Sequence, residues 1–407
     1  MSGFGLVGRH LSHSYSVEIH KLLADYDYRL YEKEPEELCD FVHSCGLDGF
    51  NVTVPYKRKV YEMCDALSDE ALEIGCVNTV VNKGGRLIGE NTDAFGFRYL
   101  LQKNGISPAG KKTVILGSGG ASKAVACVLN EMCADRITNV SRNGKYNYGN
   151  IETLSDSEII INATPVGMYP NNGESLINVS RFKKCEAVID LIYNPLRTKL
   201  VSDALSLGIK SVNGLQMLAA QAAKSCELFG YDVDYSKVED ICKSVSDKVQ
   251  NIILIGMPSC GKSSVGKRLA EIMRRPFIDC DSETEKRIGD IGEYILKNGE
   301  AAFRMAENET LKDISSRSGY VIACGGGVVE NDDNLELLRQ NGKVIFIDRD
   351  ISELVTKSRP LSELYGIDAL AKKRIPIYIK WADAIYKNIG INETAKDILS
   401  DVLEGKL

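Results

Sequence analysis

Histidine is scarce in this 407-residue chain: there are four, at His10, His13, His20 and His43. None follows residue 43, so acid–base or metal chemistry in the remainder needs other groups unless the fold returns these four to it. Proline is also sparse, at 10 residues, which disfavours long disordered or extended tracts. No apolar run approaches the roughly 18 residues of a membrane helix, and no charged-then-apolar leader is visible. Twelve cysteines are present, but none are spaced as C-x-x-C and no Cys/His cluster has zinc spacing. The expectation is a cytoplasmic protein with scattered free thiols, most of them small core hydrophobes.

Charge narrows the partners. Residues 1–249 carry 27 Lys+Arg against 31 Asp+Glu, and residues 250–407 carry 23 against 25. Neither part is basic, so a nucleic-acid or anionic-membrane surface is disfavoured and small-molecule partners are expected. At roughly 100–200 residues per domain, the length suggests two to four domains.

Two strand–glycine loop–helix units stand out. Thr113–Leu116 runs into Gly117-Ser-Gly-Gly-Ala121 and a helix predicted over Val125–Cys133. Asn251–Ile255 runs into Gly256-Met-Pro-Ser-Cys-Gly-Lys-Ser263 and a helix predicted over Val265–Met273. Short β-branched runs of this kind are typical of buried parallel strands, so an α/β fold is expected. Upstream, Gly49–Val54 reads as a strand, Arg58–Ala66 as a helix and Asp93–Lys103 as a helix. Lys237–Val249 is amphipathic, and the main boundary is expected near residues 248–250.

The first glycine loop lets backbone N–H groups of Gly117, Ser118, Gly119, Gly120 and Ala121 approach a pyrophosphate at a helix N-terminus. The next strand, Ile137–Val140, ends in Ser141-Arg142, with Lys145 close by. An acidic residue there would hold a ribose 2′-hydroxyl, whereas a hydroxyl and a guanidinium suit a 2′-phosphate, so NADP(H) is expected over NAD. Two further strands end in loops carrying Thr164 and Leu191, placed to shape the nicotinamide side together with Gly214.

The second loop is a P-loop. Ser259, Cys260, Gly261, Lys262, Ser263 and Ser264 are expected around the ATP phosphates, with Lys262 on the β/γ oxygens and the Ser263 hydroxyl on Mg²⁺.

Five stretches accompany the first loop: Ser12–Ser16, Gly49–Lys57, Gly75–Thr79, Gly89–Gly96 and Asn213–Gln221. In this order they resemble shikimate dehydrogenase over about residues 3–247. The resemblance implies reduction of 3-dehydroshikimate to shikimate with NADPH. It implies that Ser14 and Ser16 bind the substrate carboxylate. It also implies that Thr53, Asn78, Asp93, Tyr193 and Gln221 meet the ring hydroxyls, and that Lys57 and Asp93 form the catalytic pair. An ammonium can stabilise the oxyanion that forms as hydride arrives and then protonate it. His13 is read as structural. Val17 and Lys21 replace the proline and asparagine usual in that family, and Ser141-Arg142-Asn143 replaces its Asn-Arg-Thr.

After the P-loop come Phe277-Ile-Asp279-Cys-Asp281, Glu300–Arg304, Ala323–Gly327, Ser358–Leu361 and Arg374-x-Pro376-x-Tyr378. This set resembles shikimate kinase over about residues 250–400. The resemblance implies that Arg304, Gly326 and Arg374 bind shikimate, that Asp281 holds and polarises its attacking hydroxyl, and that Asp279 orients Mg²⁺ through water. Arg359 in a short lid would act on the ATP phosphates; an adenine-side arginine is not evident, and Lys357 is its nearest substitute. The resulting expectation is a bifunctional chain. Residues 1–100 would form a substrate domain to which helices near 215–247 return, and 101–214 a Rossmann NADP domain. Residues 250–407 would form a P-loop kinase with a parallel sheet. Two alternatives are a quinate-type NAD dehydrogenase fused to the kinase, and a nucleotide- and shikimate-sensing regulator without turnover.

Overall fold

The computed structural model describes residues 3–11, 14–170, 172–354 and 366–406. The chain divides into two compact units, Met1–Ser246 and Asp247–Leu407.

The first unit holds two sheets. The first is mixed, in the order β2-β1-β3-β5-β6-β4. Its strands are β1 (Gly3–Gly8), β2 (Asp27–Glu32), β3 (Gly49–Val52), β4 (Ala66–Leu67), β5 (Thr79–Lys83) and β6 (Arg86–Glu90). All four residues of β3 are buried, as expected for a central strand covered on both faces. The helix predicted over Arg58–Ala66 is shorter, Lys57–Tyr61. Ala66 and Leu67 instead pair with Ile88 and Gly89 of β6, a tertiary override of local propensity. The helix Thr92–Lys103 then runs past residue 100 and packs against Leu215–Leu228. Gly96 permits that approach, because a Cβ there would lie 2.5 Å from the Met217 carbonyl.

The second sheet comprises β7 (Lys112–Leu116), β8 (Arg136–Val140), β9 (Ile159–Asn162), β10 (Ala187–Asp190) and β11 (Lys210–Val212). All its pairings are parallel, in the order β11-β10-β9-β7-β8. The strand order reverses at β7, so the crevice for a ligand opens at its C-terminal end, where Gly117–Ala121 lies. The following helix is Gly120–Glu131 and starts five residues before the predicted Val125. Gly119 is its extended N-cap and the Ser122 hydroxyl donates to the Gly119 carbonyl, so the glycine loop is itself the first turn.

The second unit repeats this logic with β12 (Asn251–Ile255), β13 (Phe277–Asp279), β14 (Val321–Ala323), β15 (Gly342–Asp348) and β16 (Ala384–Lys387). They are parallel throughout, in the order β13-β14-β12-β15-β16. β12 is wholly buried and delivers the P-loop into the helix Lys262–Met273 at the centre of the sheet.

Candidate active sites

In the first unit, one buried polar cluster gathers residues from four distant segments. The Lys57 ammonium pairs with Asp93 Oδ2 at the start of the helix Thr92–Lys103, both side chains being mostly enclosed. Asp93 Oδ1 accepts from Asn78 Nδ2 at 2.9 Å. The same amide donates to Gln221 Oε1 at 3.2 Å. Asn78 Oδ1 accepts from the Thr92 backbone N–H at 2.7 Å, which fixes which end of that amide faces the carboxylate. The sequence reading missed the layer beneath. Asn51 Nδ2 donates to Thr79 Oγ1 at 2.9 Å and to Ser225 Oγ at 2.8 Å, and Ser225 Oγ lies 3.2 Å from Thr92 Oγ1. These are short polar side chains that sequence alone cannot separate from loop residues; their burial is the signal.

Ser14 and Ser16 hydroxyls are hydrogen-bonded to each other at 3.0 Å. Tyr15 between them packs its ring 5.3 Å from that of Tyr193, so the serine loop and the loop after β10 meet. Thr53 follows β3, with its N–H donating to the Val7 carbonyl. His13 lies outside the described residues. His20 is fully enclosed, stacked 3.8 Å from Tyr28, and burial pushes its imidazole down to about 3. It is therefore a neutral core ring.

The glycine loop reaches this cluster: a Cβ on Gly120 would lie 3.3 Å from Lys57 Cδ and 3.5 Å from the Cys76 sulfur. Gly117 has φ +118°, and a Cβ there would meet the Ala163 carbonyl at 3.0 Å and Thr164 Cγ2 at 3.1 Å. Gly214 packs directly on Leu191, whose carbonyl leaves no room for a Cβ. Ser118, Gly119 and Ala121 complete the turn. Ser141 closes a tight loop with Gly144 and Tyr146, within which Arg142 and Lys145 are exposed. Asp190, unassigned from sequence, fastens the loops that follow β9 and β10. It accepts from Asn162 Nδ2 at 2.9 Å, from the Ile192 N–H at 3.1 Å and from Thr198 Oγ1 at 2.6 Å. Complete burial raises its carboxyl to about 7 against these donors.

In the second unit, a cavity of about 1120 Å³ is lined by Ser259, Gly261, Lys262, Ser263, Ser264, Asp279, Asp281, Arg304, Gly326 and Arg374. Cys260 sits behind the loop, buried, with its carbonyl accepting from Asn388 Nδ2 at 2.7 Å. Lys262 Nζ donates to the Gly256 and Met257 carbonyls at 3.0 and 2.9 Å. Ser263 Oγ donates to Asp279 Oδ2 at 2.5 Å, and Asp279 Oδ1 caps the next helix by accepting from the Asp281 and Ser282 N–H groups. Asp281 approaches Gly325, where a Cβ would lie 2.5 Å from Oδ1. Tyr378 donates its hydroxyl to the Gly326 carbonyl. Arg359 and Lys357, on which the lid expectation rests, lie outside the described residues.

Both arginines expected at the acceptor are held by carboxylates to which the sequence reading gave no role. Arg304 pairs with Glu307 at 2.8 Å and Glu300 at 3.2 Å, one turn either way on the helix Glu300–Ser315. The i−4 and i+3 spacing was the available signal. Buried Arg374 gives its Nε and Nη2 to Glu330 Oε1, at 2.7 and 2.5 Å. Burial raises the Glu307 carboxyl against its arginine; for Glu330, burial also opposes ionisation but the hydrogen bond and charge of Arg374 outweigh it. Arg349, after β15, also lines the cavity.

The fold and the two sites define a two-site α/β enzyme, an oxidoreductase unit joined to a P-loop phosphotransferase unit. Comparison gives the families. Residues 6–80 match the model of the shikimate dehydrogenase substrate binding domain, and residues 258–404 match that of shikimate kinase. The chain is 37% identical to the shikimate dehydrogenase (NADP(+)) of Clostridium perfringens over 263 residues, covering 59% of this chain and 97% of the relative. The crystal structure of shikimate dehydrogenase 1 from Peptoclostridium difficile is 37% identical, with a TM-score of 0.57, covering 60% of this chain and 98% of that one. The Thermus thermophilus shikimate 5-dehydrogenase, solved with NADP(H) and shikimate, is 30% identical with a TM-score of 0.55, covering 60% and 99%. The chain belongs to the shikimate dehydrogenase family in its N-terminal unit and carries a shikimate kinase domain in its C-terminal unit, as a bifunctional fusion.

Proposed function

We propose that the first unit reduces 3-dehydroshikimate to shikimate with NADPH, and that the second phosphorylates the 3-hydroxyl of shikimate with MgATP. The single observation carrying the reductase reading is the Lys57–Asp93–Asn78–Gln221 cluster lying against Gly120 of the dinucleotide-type loop.

NADP would be held by Gly117–Ala121, by Ser141, Arg142 and Lys145 at its 2′-phosphate, and by Thr164, Leu191 and Gly214 at the nicotinamide; it supplies the hydride. The Lys57 ammonium stabilises the charge developing on the ring oxygen and gives up a proton to it. Asp93 holds that ammonium through Oδ2, and Asn78 holds Asp93 through Oδ1. Ser14 and Ser16 take the substrate carboxylate, and Thr53, Tyr193 and Gln221 the ring hydroxyls. The buried layer beneath Asn78 is itself hydrogen-bonded and supports that amide.

In the kinase unit, Ser263 Oγ and Asp279 Oδ2 are two hard oxygen donors 2.5 Å apart, a set that fits Mg²⁺ completed by phosphate and water oxygens. The metal would neutralise charge on the transferred phosphoryl group. Arg304 and Arg374 bind the carboxylate of shikimate while Glu300, Glu307 and Glu330 fix their orientation. Asp281 holds the attacking hydroxyl, Lys262 follows the β/γ oxygens, and Arg359 is assigned to the ATP phosphates.

The test is the purified chain with 3-dehydroshikimate, NADPH and MgATP, following NADPH loss and ADP release separately. Each activity is expected alone with its own substrates, and ADP release from 3-dehydroshikimate is expected only when NADPH is present. Equal use of NADH and NADPH would favour the quinate-type reading; ligand binding with no turnover at either site would favour the regulator.

A further inference from the structure

The twelve cysteines are free thiols, and seven are buried: Cys76, Cys127, Cys226, Cys242, Cys260, Cys280 and Cys324. Two of these are brought together by strand register. β13 and β14 run parallel with Asp279 opposite Ala323, so the residues that follow the two strands, Cys280 at the start of the helix Cys280–Ile288 and Cys324 in a loop, leave the sheet from adjacent positions. Neighbouring strands are about 4.8 Å apart, within the roughly 4.4–6.8 Å Cα separation of disulfides. Both side chains belong to one core cluster at 4% and 2% exposure, and the Cys280 thiol lies within interaction range of the Cys324 thiol. A second observation concerns access: Cys324 lines the cavity that holds Lys262, Asp281 and Arg304, whereas Cys280 does not.

We propose that Cys280 and Cys324 form a reversible disulfide on exposure to peroxide, and that this crosslink switches the second site off. The consequence for phosphoryl transfer rests on the kinase reading above; the crosslink itself rests only on register and access. The chemistry balances. The Cys324 sulfur takes one oxygen from hydrogen peroxide, giving a sulfenic acid and one water. The Cys280 sulfur then attacks that sulfur; the S–S bond forms, the S–O bond breaks, and hydroxide leaves with the thiol proton as a second water. Two electrons pass from the two thiols to the peroxide, and a dithiol returns them.

The effect on the site follows from what flanks each sulfur. Cys280 lies between Asp279, which accepts from the Ser263 hydroxyl, and Asp281. Cys324 precedes Gly325, which already crowds Asp281 Oδ1. A disulfide needs its sulfurs at about 2.05 Å, well inside thiol contact distance, so the two side chains must turn toward each other and the crosslink then holds the Asp279–Asp281 and Cys324–Gly325 turns in that arrangement. A misplacement of about 1 Å at reacting groups costs on the order of 100-fold in rate.

The full-length chain is treated with hydrogen peroxide, alkylated and digested without reductant. Peptide mass spectrometry reads the 280–324 linkage while shikimate phosphorylation is assayed on the same samples. The linked peptide is expected to rise in step with a fall in phosphorylation of about 100-fold, and a dithiol is expected to reverse both. Cys280→Ser is expected to keep its untreated rate, form no linkage and resist inactivation. Tryptophan emission from Trp381 checks its fold, with Cys280→Ala as the alternative should the serine variant unfold. Absence of the linkage, linkage without loss of rate, or equal inactivation of the Cys280 variant overturns the proposal. An untreated chain that does not phosphorylate shikimate refutes the kinase reading instead, and the linked peptide still decides whether the crosslink forms.

Discussion

Asp190→Asn separates a buried carboxyl's cost from its hydrogen bonds. Asp190 is fully enclosed, and burial raises its carboxyl to about 7 from an ordinary value of 3.8. Between those values the folded chain binds more protons than the unfolded chain, so stability falls as pH rises through that window and flattens above it. The gap corresponds to a ceiling of about 4 kcal/mol at 1.36 kcal/mol per tenfold change in proton affinity, and relaxation in the unit makes about 2–4 kcal/mol the expected loss. The introduced amide keeps the shape: its oxygen still accepts from Asn162 Nδ2 and the Ile192 N–H, and its nitrogen can donate to Thr198 Oγ1, which also accepts from the Val201 N–H. The variant therefore escapes the pH-dependent loss. Urea unfolding followed by circular dichroism, at about pH 4.5 and about pH 8, reads this as a variant midpoint about 1 M above wild type at the higher pH and much closer at the lower. The only tryptophan, Trp381, is buried in the second unit, so its emission is an internal control that should not move between variant and wild type. Parallel pH dependence in the two proteins, or a wild type that gains on the variant as pH rises, would refute the desolvation argument.

Other perturbations divide the two activities. Lys57→Ala is expected to lower kcat for reduction by about 1000-fold, leave phosphorylation unchanged, and destabilise the first unit by leaving Asp93 buried without its cation. Lys262→Ala is expected to cost at least about 100-fold in phosphorylation and nothing in reduction, measured on one preparation with both assays. Arg142→Ala should raise KM for NADPH about tenfold with NADH unaffected, the size of one charged hydrogen bond; equal effects on both cofactors would place the guanidinium elsewhere. Gly327→Ala drives a Cβ into the Arg304 guanidinium, so KM for shikimate should rise about tenfold while KM for ATP holds.

Much of this is legible in the sequence because both glycine loops sit where a parallel strand meets a helix, and composition plus spacing mark that junction. The apolar patterns place the helix starts late, at Val125 and Val265 in place of Gly120 and Lys262, because glycine and serine hide a first turn that the loop geometry creates. The stretch after Lys57 misleads because Ala66 and Leu67 suit a helix locally and are claimed by β6 across the sheet. Candidate residues with a motif position stand out. The others are marked only by their neighbours: Asn51, Thr79 and Ser225 matter through being buried together, and the charged Glu307 and Glu330 through which arginine each faces.

The shortage of histidine takes on a physical meaning from these sites. The one fully enclosed histidine among the described residues, His20, is driven neutral by burial and serves as an aromatic surface against Tyr28. In the proposed mechanism, proton transfer in the first unit falls to a lysine whose carboxylate partner is itself held by an amide of fixed orientation. Phosphoryl transfer in the second needs positive charge and an oriented hydroxyl, which the proposal assigns to arginine, lysine and aspartate. In each case a carboxylate or amide behind the reacting cation sets its direction: Asp93 and Asn78 behind Lys57, Glu307 and Glu300 behind Arg304, Glu330 behind Arg374. Replacing such a partner by an uncharged isostere leaves the cation in place but free to turn. For Glu330→Gln, the expected result is a rise in KM for shikimate larger than any change in kcat, and a fall in kcat alone would contradict a role confined to orienting Arg374.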